Sequence, residues 1–230
     1  FRSLVPEAVV GSLAAPEFEI YGLQIEQRFR TRTYLGIALG LLQADGERTV
    51  GAVEFDPIPL VPTPNPYRPT SISQTLDYQE HTLTATLHQL LGRDFALGAV
   101  YQVSRANLAT AYPDVPTGLI LASPFALRQE QQATLHQVRL YGLFNHPSGF
   151  FCGAESLWSG QVNAKDSSTL ADDDFWQFNL YGGYRWWQRR AEVQVALLNL
   201  TDQDYRLNPM NSTASLPRER TLTLSFRFSF

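Results

Sequence analysis

The stretch that decides the fold is TLTLSFRFSF, residues 221–230. Leu222, Leu224, Phe226, Phe228 and Phe230 occupy alternate positions, with Thr221, Thr223, Ser225, Arg227 and Ser229 between them. Successive side chains of a pleated strand point to opposite faces, so this spacing gives one apolar and one polar face. Arg227 then falls among hydroxyls rather than among phenylalanines.

The same period runs upstream. Trp176, Phe178, Leu180, Tyr184 and Trp186 alternate with Gln177, Asn179, Tyr181, Gly183 and Arg185. Val193, Val195 and Leu197 alternate with Glu192, Gln194 and Ala196. Leu83, Ala85 and Leu87 face threonines and His88, while Phe95, Leu97, Ala99, Tyr101 and Val103 oppose Ala96, Gly98, Gln102 and Ser104. Leu35, Ile37, Leu39 and Leu41 oppose Gly36, Ala38 and Gly40. Tyr21, Leu23, Ile25 and Phe29 oppose Gly22, Gln24, Glu26 and Arg28. Segments near 133–145 and 150–162 read as strands of less regular alternation. Helical periodicity is weak throughout. The expectation is an all-β, antiparallel chain of about nine or ten strands, forming one domain over residues 1–230.

The connections alternate in length. Short ones are expected near Arg30–Thr33, Leu91–Asp94, Asn145–Gly149 and Gln188–Arg190. Long ones are expected at 44–73, 106–131, 163–173 and 201–219. Prolines crowd 57–69, which reads as a surface loop outside any sheet. The acidic run at 166–174 lacks the alternate spacing of a calcium loop and reads as a solvated loop. Outer-membrane barrels have short periplasmic turns and long outer loops, and this parity fits them. In that reading the apolar residues of 222–230 face lipid. Glu26, Arg28, Gln177, Asn179, Arg185 and Arg227 are the candidate lumen-facing side chains. Trp158, Trp176, Trp186, Trp187, Tyr184 and Phe230 are candidates for interfacial aromatic girdles.

Composition narrows the classes. A net charge of −4 argues against a generic electrostatic nucleic-acid binder. No stretch approaches the apolar length of a spanning helix, whereas alternating strands average to near-neutral hydropathy, and the mean hydropathy is −0.18. The single cysteine, Cys152, has no intrachain partner. Catalytic signatures are not visible, His88 with Ser104 having no support from spacing, and no cofactor or metal is expected. The chain opens at Phe1 without methionine or leader, and reads as a processed product or a piece of a longer protein.

The segment Asn199-Leu200-Thr201-Asp202-Gln203-Asp204-Tyr205-Arg206 resembles the stretch that precedes the last strand of TonB-dependent outer-membrane receptors. Leu216-Pro217-Arg218-Glu219-Arg220-Thr221 resembles their entry into that strand, with Glu219 where the family has glycine. Pro6 to Phe29 resembles a family strand, with Gln24 where glutamate is common. The terminal Leu222, Leu224, Phe226, Phe228 and Phe230 resemble the assembly signal of outer-membrane barrels.

The resemblance implies the end of a larger barrel of about 22 strands, in a bacterial outer membrane. The last strand would pair with the barrel's first. It also implies uptake of a scarce ligand such as a siderophore, cobalamin or glycan. Expected partners are membrane lipid, the outer-membrane assembly machinery and, given an N-terminal plug, a TonB-type energiser. The alternatives are a passive porin or export barrel, a soluble β-sandwich or lipocalin-like module, and, last, a barrel enzyme.

Overall fold

The computed structural model describes residues 17–55, 67–115, 128–165, 172–186, 190–205 and 219–229. These residues form nine strands and no helix: β1 (Glu17–Arg28), β2 (Thr33–Phe55), β3 (Tyr67–Leu91), β4 (Phe95–Ala111), β5 (Arg128–Asn145), β6 (Phe150–Lys165), β7 (Asp173–Trp186), β8 (Ala191–Leu198) and β9 (Thr221–Phe228). They make one antiparallel sheet in chain order. The connections between strands therefore fall alternately at two rims. The segments 29–32, 92–94, 146–149 and 187–190 join strand ends at one rim, and 56–66, 112–127, 166–172 and 199–220 at the other.

One expectation needs correction. β2 and β3 are 23 and 25 residues long, so much of the expected 44–73 connection is ladder. Pro69 itself stands opposite Val53. At that level β3 has β2 on one side only, since β4 reaches no further than Thr75. A proline without an N–H is tolerated on such an edge. The sequence signal stopped short because Gln43, Asp45 and Glu47 follow Leu41 on one face. The apolar alternation ends there while the backbone pairing continues. The other long connections, expected at 106–131, 163–173 and 201–219, are likewise bounded by Ala111 and Arg128, Lys165 and Asp173, and Leu198 and Thr221.

The sheet is open: among the described residues β1 pairs with β2 alone and β9 with β8 alone, so these strands do not close a ring among themselves.

The buried core lies on one face, toward the long-connection rim. Ala44, Leu76, Tyr78, Ala106, Leu108, Ala133, Leu135 and Phe175 form it, with Leu42 and Tyr205 packed against it. We call this the inner face. Two glycines set local geometry. Gly149 has φ +104°, and a Cβ there would strike the Arg185 carbonyl oxygen, so the tight turn before β6 requires glycine. On the inner face the Tyr141 ring lies over Gly98, where a Cβ would otherwise stand.

Candidate functional site

The register joins the apolar positions of every strand into one outer face. One row runs Ile25, Ile37, Ala85, Tyr101, Val138, Trp158, Trp176 across seven strands. Toward the other edge Leu180, Leu197 and Leu222 align, as do Tyr184, Val193 and Phe226. Ile25, Ile37, Trp176, Leu180, Leu222, Leu224, Phe226 and Phe228 are all exposed. Between the rows of Phe95 and Val103 this face carries one formal charge among the described residues, Asp174 at the upper end of β7, opposite Gly160. His136 lies in the same row as Asp174, and its Nδ1 meets the Tyr101 hydroxyl at 2.8 Å.

Aromatics border this band. Near the short-connection rim Phe95 and Phe144 have ring centroids 4.6 Å apart, Phe144 and Phe150 6.4 Å, and Tyr184 and Trp186 6.5 Å. Toward the other rim Trp158 stands opposite Trp176, whose ring stacks on Phe178 at 6.1 Å. On β7 the band reaches from Trp176 to Trp186, about 34 Å along a strand and about 24 Å in height at a 45° tilt. Of the aromatics singled out from sequence, Trp187 and Phe230 lie outside the described residues.

The inner face is polar where it is not the apolar core. One row reads Gln24, Ala38, Thr84, Gln102, Gln137, Ser159, Phe175. Ser104, Ser159 and Gln161 are buried. The Thr82 and Ser104 hydroxyls meet at 3.1 Å, and Tyr78 donates to the buried Glu80 at 2.7 Å. The Tyr141 hydroxyl meets His88 Nδ1 at 2.8 Å.

Glu26, Arg28, Gln177, Asn179, Arg185 and Arg227 all project to this face. Arg185 is the best engaged. It bonds Glu192 at 2.7 Å and Asn145 at 2.8 Å, and its guanidinium lies 3.9 Å from the Phe151 ring centroid. Arg28 sits over Tyr34 at 5.5 Å. Asn179 Nδ2 donates to Glu155 at 3.5 Å, and Gln177 Nε2 donates to Asn179 Oδ1 at the same distance. Arg227 stands opposite Glu192 and is exposed on the edge strand. His88 and Ser104 are not brought together: the register sets His88 opposite Gly98 and Ser104 opposite Thr82. Among the described residues no three His, Cys, Asp or Glu side chains are placed to share a metal ion. The tyrosine–histidine pairs and the Thr82–Ser104 hydroxyl pair were not legible in sequence, because their partners are 22 to 53 residues apart.

The motif before the last strand builds a fastened turn. Asn199 and Asp202 take positive φ, 51° and 55°, which short polar side chains tolerate best after glycine. Asn199 is fully buried. Its Oδ1 accepts from the Gln203 amide at 2.9 Å and its Nδ2 donates to the Gln203 carbonyl at 3.1 Å. The Asn199 amide donates to Asn179 Oδ1 on β7 at 2.9 Å. Asp202 Oδ1 accepts from the Arg220 amide at 2.8 Å, which holds the start of β9. Leu200 donates its amide to the Phe178 carbonyl at 2.8 Å. Tyr205 stacks on Phe175, 4.7 Å between centroids at 9°. Thr201 is exposed, and Arg206 lies outside the described residues.

The chain matches no protein-family model, no curated protein and no solved structure.

Proposed function

We propose that this sheet is part of the wall of an outer-membrane β-barrel that takes up a scarce ligand, of the kind the TonB-dependent receptors represent. The observation that carries the reading is the outer face. A continuous apolar surface spans nine strands, its band edged by aromatics and holding a single carboxylate, Asp174, at the upper margin. Soluble monomers rarely expose apolar patches beyond a few hundred Å², and this one covers most of a sheet. Hydrocarbon is the solvent that suits it.

An open sheet edge cannot stand in lipid, because its N–H and C=O groups would lack partners. β1 and β9 each have one edge unpaired among the described residues, and these edges call for further strands of the same barrel. The buried patch around Tyr78, Leu108, Leu135 and Phe175 favours an occluded lumen over a passive pore, hence gated uptake. The turn from Asn199 to Tyr205 gives the receptor-like motif a physical task, which is to seat the last strand.

Cysteine labelling in membranes tests this. In a Cys152→Ala background, Leu83→Cys lies within the band and Thr75→Cys lies beyond it on the same face. A membrane-impermeant maleimide should modify Thr75→Cys on intact cells and leave Leu83→Cys untouched until the membrane is dissolved. Equal modification at both positions, or recovery of the protein in the soluble fraction, would overturn the proposal.

A further inference from the structure

On the outer face, toward the long-connection rim, a shallow groove of about 600 Å³ runs across β1 to β4. Its apolar walls are Tyr21, Leu23, Leu39, Leu41, Leu83 and Val103, and His81 and Arg105 stand at its upper end. The register sets Leu41 opposite His81 and His81 opposite Arg105, one row above Leu39, Leu83 and Val103. Both polar residues are exposed.

The layers above are ordered. The next row holds amides, Gln43, Gln79, Asn107 and Gln132. On β2 to β5 carboxylates, Asp45, Asp77 and Glu130, come in the row after that, while on β1 Glu19 already stands in the amide row and accepts from the Tyr21 hydroxyl at 3.2 Å. On β3 and β4 the first strongly polar groups met on leaving the apolar band are thus an imidazole and a guanidinium side by side, with Glu19 away on β1. With the Gln132 amide oxygen turned toward it, Arg105 is held through Nη2 at 2.7 Å and Nε at 2.8 Å. Among the described residues it has no carboxylate partner, and its remaining N–H groups stay available.

We propose that this groove seats a membrane lipid with an anionic phosphate headgroup, its acyl chain along Leu39 and Leu83 and its phosphate against Arg105 and His81. The inference rests on the membrane reading above. A planar guanidinium can bind phosphate oxygens in pairs, and here Gln132 already fixes it at the height where a headgroup begins. Charge complementarity selects an anionic lipid over a zwitterionic one, and the apolar groove selects a lipid over free phosphate.

The test uses the full-length protein in detergent, supplemented with phosphatidylglycerol or with phosphatidylcholine of the same chains. Retained lipid is counted by native mass spectrometry. The wild type should prefer phosphatidylglycerol about fivefold, the factor one basic residue contributes near an anionic lipid surface. Arg105→Gln with His81→Gln should bring the two lipids to parity. Arg105→Lys should keep a preference, and Arg30→Gln at the opposite rim should keep it whole. Leu83→Trp should lower retention of both lipids by filling the groove. Inorganic phosphate in excess should displace nothing; displacement would make this a free-anion site and sink the lipid assignment. Equal retention of both lipids by the wild type would also overturn it. The labelling experiment separates the two failures. Leu83→Cys protected with no lipid preference defeats this inference alone, whereas Leu83→Cys labelled on intact cells defeats the membrane reading.

Discussion

On the outer face Leu222 is 72% exposed and Phe226 64%; on the inner face Ser159 is 0% and Gln161 1% exposed. The sheet shelters hydroxyls and amides and offers leucines and phenylalanines to its surroundings. In water that order is costly, since each large apolar side chain left exposed forgoes about 1.5–3 kcal/mol. In lipid it is the stable order, because the outer solvent is itself apolar and the polar groups satisfy one another inside. The same two-residue period would serve a soluble sandwich with its faces reversed. What separates the two is which face finds cover, and here the apolar core is confined to the inner face of rows that also hold Glu80 and Ser104.

The comparison can be broken at several points. The largest effect should come from removing residues 222–230. That takes away an apolar stripe and, in the barrel proposed above, leaves the β8 edge unpaired in hydrocarbon, at several kcal/mol per orphaned group. Heat-modifiable gel migration of membrane fractions should show no folded species, and normal folding would refute the reading of this strand.

Next, Leu140 is exposed on the outer face and its neighbour Arg139 points inward. Leu140→Arg should cost about 2–4 kcal/mol in a lipid-embedded barrel. In a soluble protein the same exposed change would shift stability by no more than about 0.5 kcal/mol. Urea titration of vesicle-reconstituted protein distinguishes the two.

A smaller effect is expected at Gly98, beneath the Tyr141 ring. Gly98→Val should displace that ring and break its bond to His88, at about 1–3 kcal/mol by overpacking, read from the same titration. The smallest concerns Gln102, whose Oε1 is buried without a partner. Gln102→Leu removes an unsatisfied acceptor, so stability should change by less than about 1 kcal/mol, with the hydroxyl pair of Thr82 and Ser104 kept. A large loss would mean that Oε1 has a partner, such as an ordered water.

Much was legible from single residues and their spacing. The alternation of 222–230, and of Tyr21–Arg28, gave strands and faces because side-chain direction in a strand depends only on residue parity. The stretch from Asn199 to Arg206 stood out only by resemblance; its turn rests on Asn199 and Asp202, whose side chains suit positive φ and accept from the backbone. Less was legible where outer-face polarity resumed. The extension of β2 to Phe55 and of β3 from Tyr67 had no apolar signal to mark it.

The chain's own order of residues determined that this protein is all-β, with one apolar and one polar side to nearly every strand, since that follows from local geometry. Only the tertiary structure decided the register, and register is a property of pairs. It set Arg105 beside His81, drew His88 to Tyr141 and away from Ser104, laid Tyr141 over Gly98, and stacked Tyr205 on Phe175. It also decided which side is inner. Parity sorts side chains into two sets, but only the packing of one set against its neighbours turns a face into a core.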